Sequence, residues 1–299
     1  MDHAKSEQTH LIKRNLIGEA RSGSIGTAGA CRALPRWHAF LGLFILVCLF
    51  LFLAPLLGPL RQAALAAPVN CRTVTDGDSH YVVCAFDMRQ NKSSAEMRLF
   101  LAGADGKPYG GFGALEEALR QRGEKLLFGM NAGMFQENLR PVGLYVEAHR
   151  MMRHVNQRDG SGNFHLKPNG IFYFGGHAAG VMTTSDFVKS GLKPDYATQS
   201  GPMLVINGAI HPKIRADGTS RKIRNGVGVR DGHRVIFAIS EEPVTFYRFA
   251  SLFRDRLDCP NALYLDGSVS SLYAPALGRA DGLRPLGPIV GIVVKASGR

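Results

Sequence analysis

No G-x-G-x-x-G, P-loop, G-x-S-x-G or H-E-x-x-H occurs in the 299 residues. Each of those motifs supplies a backbone geometry or ligand spacing that its chemistry needs, so the commonest nucleotide-binding, serine-hydrolase and zinc-protease classes are removed. Lysine and arginine form no block and no stripe interleaved with aromatics, which argues against nucleic acid. Acidic residues are the scarcer charge, 24 against 36 basic, for a formal charge of +12. The first 66 residues carry seven basic and three acidic side chains, so the remainder keeps +8, a surplus that suits an anionic substrate. Residues 67–299 also lack an internal repeat, a low-complexity tract or a Pro/Ser-rich linker, and read as one domain.

A long apolar run is what the N-terminus does have. Ala39 to Leu60 holds no charge, and Leu41 to Leu53 is nearly all large and apolar, as a bilayer requires. Six of the seven basic residues precede this run, which by the positive-inside rule keeps the N-terminus cytoplasmic and sends the rest across the membrane. Ala64-Leu-Ala66 puts small residues at the two positions a signal peptidase reads. Residues 1–66 are therefore expected to be a signal peptide cleaved after Ala66, with a retained inner-membrane anchor facing the periplasm as the alternative. The exported part, 67–299, is expected to be periplasmic or secreted. No lipoprotein box precedes Cys31 or Cys71, so lipid anchoring is not indicated. In an oxidising compartment Cys71 and Cys84, which close the shorter loop, are the expected disulfide, and Cys259 the odd buried thiol. The three do not have zinc-site spacing.

Strand patterns fall at His80–Phe86, Met97–Leu101, Leu126–Met130, Val142–Val146, Ile171–Phe174, Met203–Ile206, Arg234–Ile239, Ala262–Leu265 and Ile289–Val294. Gln90–Ser94 reads as a turn, and Asn207-Gly208 and Asp231-Gly232 as hairpin turns, because these dipeptides tolerate positive φ. Ala114–Arg122 has helical spacing, a Glu116/Arg120 pair and Gly123 as its stop. Thr245 is positioned to cap a second helix with the apolar face Phe246, Phe249, Ala250, Phe253 and Leu257. Many strands with adjacent hairpins and two clear helices predict an α+β single domain with a mixed, largely antiparallel sheet.

Four polar clusters sit directly at the ends of apolar runs. The first is Asn131-Ala-Gly-Met-Phe135. The second runs from Arg158 through Asn163-Phe-His-Leu-Lys-Pro-Asn-Gly170, where His165 and Lys167 would share one face of an extended segment and hold a phosphate or carboxylate. The third is Thr198-Gln-Ser-Gly-Pro202, three hydrogen-bonding side chains before a buried strand. The fourth joins Arg224-Asn-Gly226 to Asp266-Gly-Ser-Val-Ser-Ser271, where a carboxylate at a buried strand end can act as nucleophile, base or ligand. Glu147 is a reserve acid. His149, His154, His177 and His211 have no partner at fixed spacing and read as structural.

In this order the segments resemble the phosphodiester glycosidase family, the uncovering-enzyme-like domain in its bacterial exported branch, from about Tyr81 to Val294. The family's Leu-Asp-Gly-Gly-Gly-Ser-Ser is here Leu265-Asp-Gly-Ser-Val-Ser-Ser271, a change that bears on sugar specificity more than on reaction class. The resemblance implies hydrolysis of a sugar-1-phosphodiester. That reaction expels a phosphate monoester, already a good leaving group, so a strong general acid is less necessary. The implied catalytic residues are Asp266, activating water or stabilising the oxocarbenium-like centre, Arg224, holding the leaving phosphate with Lys167 or His165, and Asn131. Asn169, Thr198, Gln199, Ser200, Asn225 and Ser270 complete the substrate-binding set. No cofactor is expected, and no EF-hand-like spacing supports a structural calcium ion. Two other readings stay open: a non-catalytic periplasmic glycan-binding module, and an anchored structural envelope protein.

Overall fold

The computed structural model describes residues 67–89 and 95–296. The expected signal or anchor segment and the Gln90–Ser94 turn lie outside them. No helix among the described residues is long and apolar enough to cross a membrane.

In chain order the first elements are β1 (Val69–Asp76), β2 (Ser79–Asp87), β3 (Glu96–Phe100), α1 (Phe112–Gln121), β4 (Glu124–Asn131), β5 (Tyr145–Glu147) and β6 (Arg150–Arg153). Next come β7 (Gly170–Gly175), β8 (Ala178–Thr183), α2 (Thr184–Ser190), β9 (Tyr196–Ser200), β10 (Met203–Ile206) and β11 (Ala209–Ile210). The last are β12 (Asn225–Arg230), β13 (Arg234–Ser240), α3 (Phe246–Ser251), β14 (Asn261–Asp266), β15 (Leu272–Ala274), β16 (Arg279–Ala280) and β17 (Ile289–Lys295). They form a seven-stranded sheet, β1-β2-β13-β12-β14-β10-β11, and two five-stranded sheets, β16-β15-β4-β17-β3 and β6-β5-β9-β7-β8. The α+β, mainly antiparallel architecture is as expected, but it is divided among three sheets, and every ladder between these strands is antiparallel. Hairpins explain this: Asn207 and Gly208 (φ 48° and 80°) and Asp231 and Gly232 (φ 57° and 70°) turn the chain back on its neighbour.

Alternating side chains build one core between the sheets and cover each sheet's outer face. On β13, Val235, Phe237 and Ile239 enter the central core while Ile236 and Ala238 face α3. On β17, Val290 and Ile292 point inward and Ile289 and Val293 outward toward α1. Phe237 ties the layers together, 4.8 Å from Phe128 and 6.0 Å edge-on from Phe172, ring centre to ring centre.

Local departures from the sequence reading have local causes. Val142–Leu144 is not strand, because the Gln199 side-chain oxygen (Oε1) takes the Leu144 N–H at 3.0 Å and only Tyr145 onward pairs with β9. Thr245 does cap α3, its Oγ1 accepting from Arg248 N at 3.2 Å. The helix then widens into a π turn over Leu252–Arg256, which buries Leu252 and Phe253 together. On α1, Arg120 pairs with Glu117 at 2.6 Å rather than with Glu116, which turns inward to accept from the Tyr273 hydroxyl. Cys71 and Cys84 face each other across the β1–β2 ladder and are disulfide-bonded, as expected. Cys259 is free and buried, and burial pushes its thiol up to about 12.

Candidate active site

Four strand ends converge on one buried polar cluster. Asn131 closes β4, Ser200 closes β9, Asn225 opens β12 and Asp266 closes β14. The β12–β14 ladder shifts register between Asn225 and Gly226, and the Asp266 N–H donates to the Asn225 side-chain oxygen at 3.0 Å. Asn225 Nδ2 in turn donates to Asn131 Oδ1 at 2.8 Å. β15 pairs with the end of β4, and Ser271 N–H donates to that same Asn131 oxygen at 2.9 Å. A backbone N–H can only donate, so Asp266 and Ser271 identify which atom of each amide is oxygen. The amide chain therefore runs one way, from Asp266 through Asn225 to Asn131. Its last donor, Asn131 Nδ2, is buried with no partner among the described residues.

Asp266 is 8% exposed, and its Oδ1 accepts from Gly267 N at 2.5 Å and Ser268 N at 2.7 Å. Burial raises its pKa above the ordinary carboxylate value, against the opposite pull of the Ser268, Gly267 and Val269 amides. No cation among the described residues offsets that burial. Ser270 Oγ fastens the turn, 2.8 Å from Asp266 O and 3.2 Å from Ile223 O. Ser200 donates to Leu265 O at 2.9 Å and Thr198 to Ala132 O at 2.6 Å, so both hydroxyls brace the strands around the cluster.

The other expected residues are placed differently. Gln199 is a clamp: its oxygen accepts from Leu144 N and Asn156 N, and its nitrogen donates to Asn156 O and Thr184 Oγ1. Arg224 is 1% exposed; its guanidinium donates to Val244 O (2.9 Å), Ser220 O (2.9 Å) and the Tyr264 hydroxyl (3.3 Å), and lies 3.6 Å over the Phe246 ring. Sealed in this way, the guanidinium expected to hold a phosphate spends its donors on the protein in this structure. The extended His165–Lys167 segment is corrected: Asn163–His165 is a 3-10 turn. His165 Nδ1 meets Arg158 O, and Lys167 Nζ donates to Gln157 O and Asp159, both at 2.7 Å. Lys167 and Asn169 border a separate cavity of about 270 Å³ with Gln157, Thr183, Thr184 and Ser185. Asn169, itself buried, donates to Phe164 O and packs against Gly201, next to Ser200. Glu147 lies on β5 toward the Tyr196 end of β9, accepting from the Tyr145 hydroxyl at 2.8 Å. No group of three or more His, Cys, Asp or Glu side chains among the described residues could hold a metal ion.

Two contributors escaped the sequence reading. Ser271 acts through its backbone, which no residue type announces. Tyr264 lies inside an apolar strand pattern, and its only signal is its place two residues before Asp266, on the same strand face.

Known proteins are similar to this chain. The phosphodiester glycosidase family matches residues 124–293, from β4 into β17 and including every residue of the cluster. YigE of Escherichia coli (strain K12), itself described as uncharacterized, is 34% identical over 183 residues, which span 61% of this chain and 71% of YigE. The catalytic domain of zebrafish N-acetylglucosamine-1-phosphodiester alpha-N-acetylglucosaminidase, auto-inhibited by its pro-peptide, shares the fold with a TM-score of 0.51 at 13% identity, over 75% of this chain and 81% of that one. With the family pattern covering more than half its length and every member of the buried Asn131–Asn225–Asp266 chain, this protein belongs to the phosphodiester glycosidase family.

Proposed function

We propose that the protein is an exported hydrolase that cleaves the glycosidic bond of a sugar-1-phosphodiester, or of a related envelope or extracellular glycan, with Asp266 as its catalytic carboxylate. The observation that carries this reading is a buried carboxylate joined by a one-way amide chain to a buried donor, neither of them given a cation or an acceptor by the described residues. Such an arrangement costs folding free energy unless a ligand uses it. The disulfide supports an oxidising compartment.

In the proposed reaction water attacks the anomeric carbon, and the bond from that carbon to the phosphate oxygen breaks with its electron pair leaving on phosphate. Asp266 receives the water proton or stabilises the oxocarbenium-like centre; either task requires its ionised form. Asn131 Nδ2 donates to a substrate oxygen, and Asn225 holds both groups in register. Arg224 serves from beneath the site. Lys167, with Lys213 near the same Asp159, offers positive charge to the anionic part of the substrate from the cavity that Lys167 borders.

The test is release of free sugar from a panel of sugar-1-phosphodiesters by the purified protein. Turnover of at least one member supports the reading. Glycan binding without turnover across the panel replaces it with a non-catalytic binding module.

A further inference from the structure

Tyr264 is fully buried, and its hydroxyl occupies the space that a Cβ on Gly267 would need. The phenol thus fills the space under the residue whose N–H, with that of Ser268, grips Asp266 Oδ1. Arg224 Nη1 donates to the phenol oxygen from behind. Arg224 is itself fastened on several sides, by Val244 O, Ser220 O, the Phe246 ring and the Ser240 hydroxyl on its backbone N–H. A buried guanidinium is costly to keep without a carboxylate partner, and among the described residues its donors end on two carbonyls and this one phenol. Consecutive residues thereby hold the two sides of the same turn: Asn225 takes the Asp266 N–H directly, and Arg224 reaches the Gly267 side through Tyr264.

We propose that Tyr264 is a positioning residue: its phenol, pinned by Arg224, is the strut that keeps the Gly267 and Ser268 amides on the Asp266 carboxylate. The consequence for turnover rests on the hydrolase reading; the consequence for the carboxylate does not. Removing the strut loosens two hydrogen bonds that favour the ionised form, so the carboxyl titrates at higher pH.

The experiment follows the Asp266 carboxyl carbon by NMR during a pH titration of the wild type, Tyr264→Phe, Gly267→Ala and the double variant, with kcat and KM measured alongside. Tyr264→Phe is expected to move the titration midpoint upward and to lower kcat with KM little changed. Gly267→Ala in the wild type must displace the phenol. In the Tyr264→Phe background the nearest atom is the ring carbon at 3.1 Å, so the same substitution is expected to be milder by about tenfold in kcat, the coupling typical of residues in contact. If Tyr264→Phe fails to fold, Gly267→Ala alone, on a part-exposed turn, gives the same upward midpoint. An unchanged or lowered midpoint in whichever single variants fold, or equal effects of Gly267→Ala in both backgrounds, overturns the proposal. An upward midpoint without any turnover in the wild type leaves the strut standing and removes the hydrolase reading instead.

Discussion

The two ends of the same strands treat charge in opposite ways. β4 begins at Glu124 and ends at Asn131; β9 begins at Tyr196 and ends at Ser200. At their beginnings, Arg98 meets both Glu96 (2.6 Å) and Glu124 (2.8 Å), and these three side chains line a cavity of about 570 Å³. At their ends lie Asp266, Asn131 and Arg224, for which the described residues offer no cation, no acceptor for the last amide donor and no carboxylate, respectively. Compensated charges in water contribute little to stability and carry no unmet demand for a partner. Uncompensated ones in a dry site are costly, and they gain strength on anything that enters. The larger cavity therefore marks the less informative end of the molecule.

Substitutions at each end should separate the two. The largest effect is expected from Asp266→Asn, a loss of about 10²–10⁴ in turnover, the range of general acid–base contributions. Stability should move the other way. Because burial raises the folded-state pKa of Asp266 above its unfolded value, stability present below the unfolded value is lost as pH rises through the folded value. Near neutral pH Asp266→Asn should therefore melt at or above the wild-type temperature, and the gap should close in acid, where both side chains are neutral. The same shift places the acid limb of the activity profile above the ordinary carboxylate range.

A change belonging to neither end sharpens the contrast. Replacing Cys71 and Cys84 together removes a staple of sequence separation 13 and should cost about 3 kcal/mol in denaturant unfolding, with turnover at low denaturant retained. Asn225→Ala strands the Asp266 N–H and loosens Asn131, and should cost about 2 kcal/mol together with most of the activity. The smallest effect belongs to the opposite end: Glu124→Gln should change stability by about 1 kcal/mol or less and leave kcat/KM unaltered.

Strands whose faces are both apolar were legible in the sequence. Met203–Ile206 matches β10, and Arg234–Ile239 falls one residue short of β13. Strands carrying polar residues in the interior were not. Thr198-Gln-Ser200 reads as an approach to a strand, yet it is the body of β9, buried because each side chain finds a backbone partner that sequence cannot reveal. Helix α2 was missed although Thr183 caps it and Asp186 answers from its first turn, a signal too short to stand out beside the apolar runs. The site was legible as residue types at strand ends, so Asn131, Asn225 and Asp266 emerged together. Roles that depend on orientation were not. Arg224 has the chemistry of a phosphate ligand and points away from solvent, while Tyr264 has the pattern of core and supports the turn that carries the carboxylate.

In the proposed reaction the uncompensated carboxylate at the strand ends does the chemistry. Its most direct test is kcat/KM of Asp266→Asn on the best sugar-1-phosphodiester, measured on protein whose melting temperature at neutral pH is recorded in the same preparation. The expected result is turnover reduced by about 10²-fold or more with the melting temperature at or above that of the wild type. Wild-type turnover from a fully folded Asp266→Asn protein would contradict it.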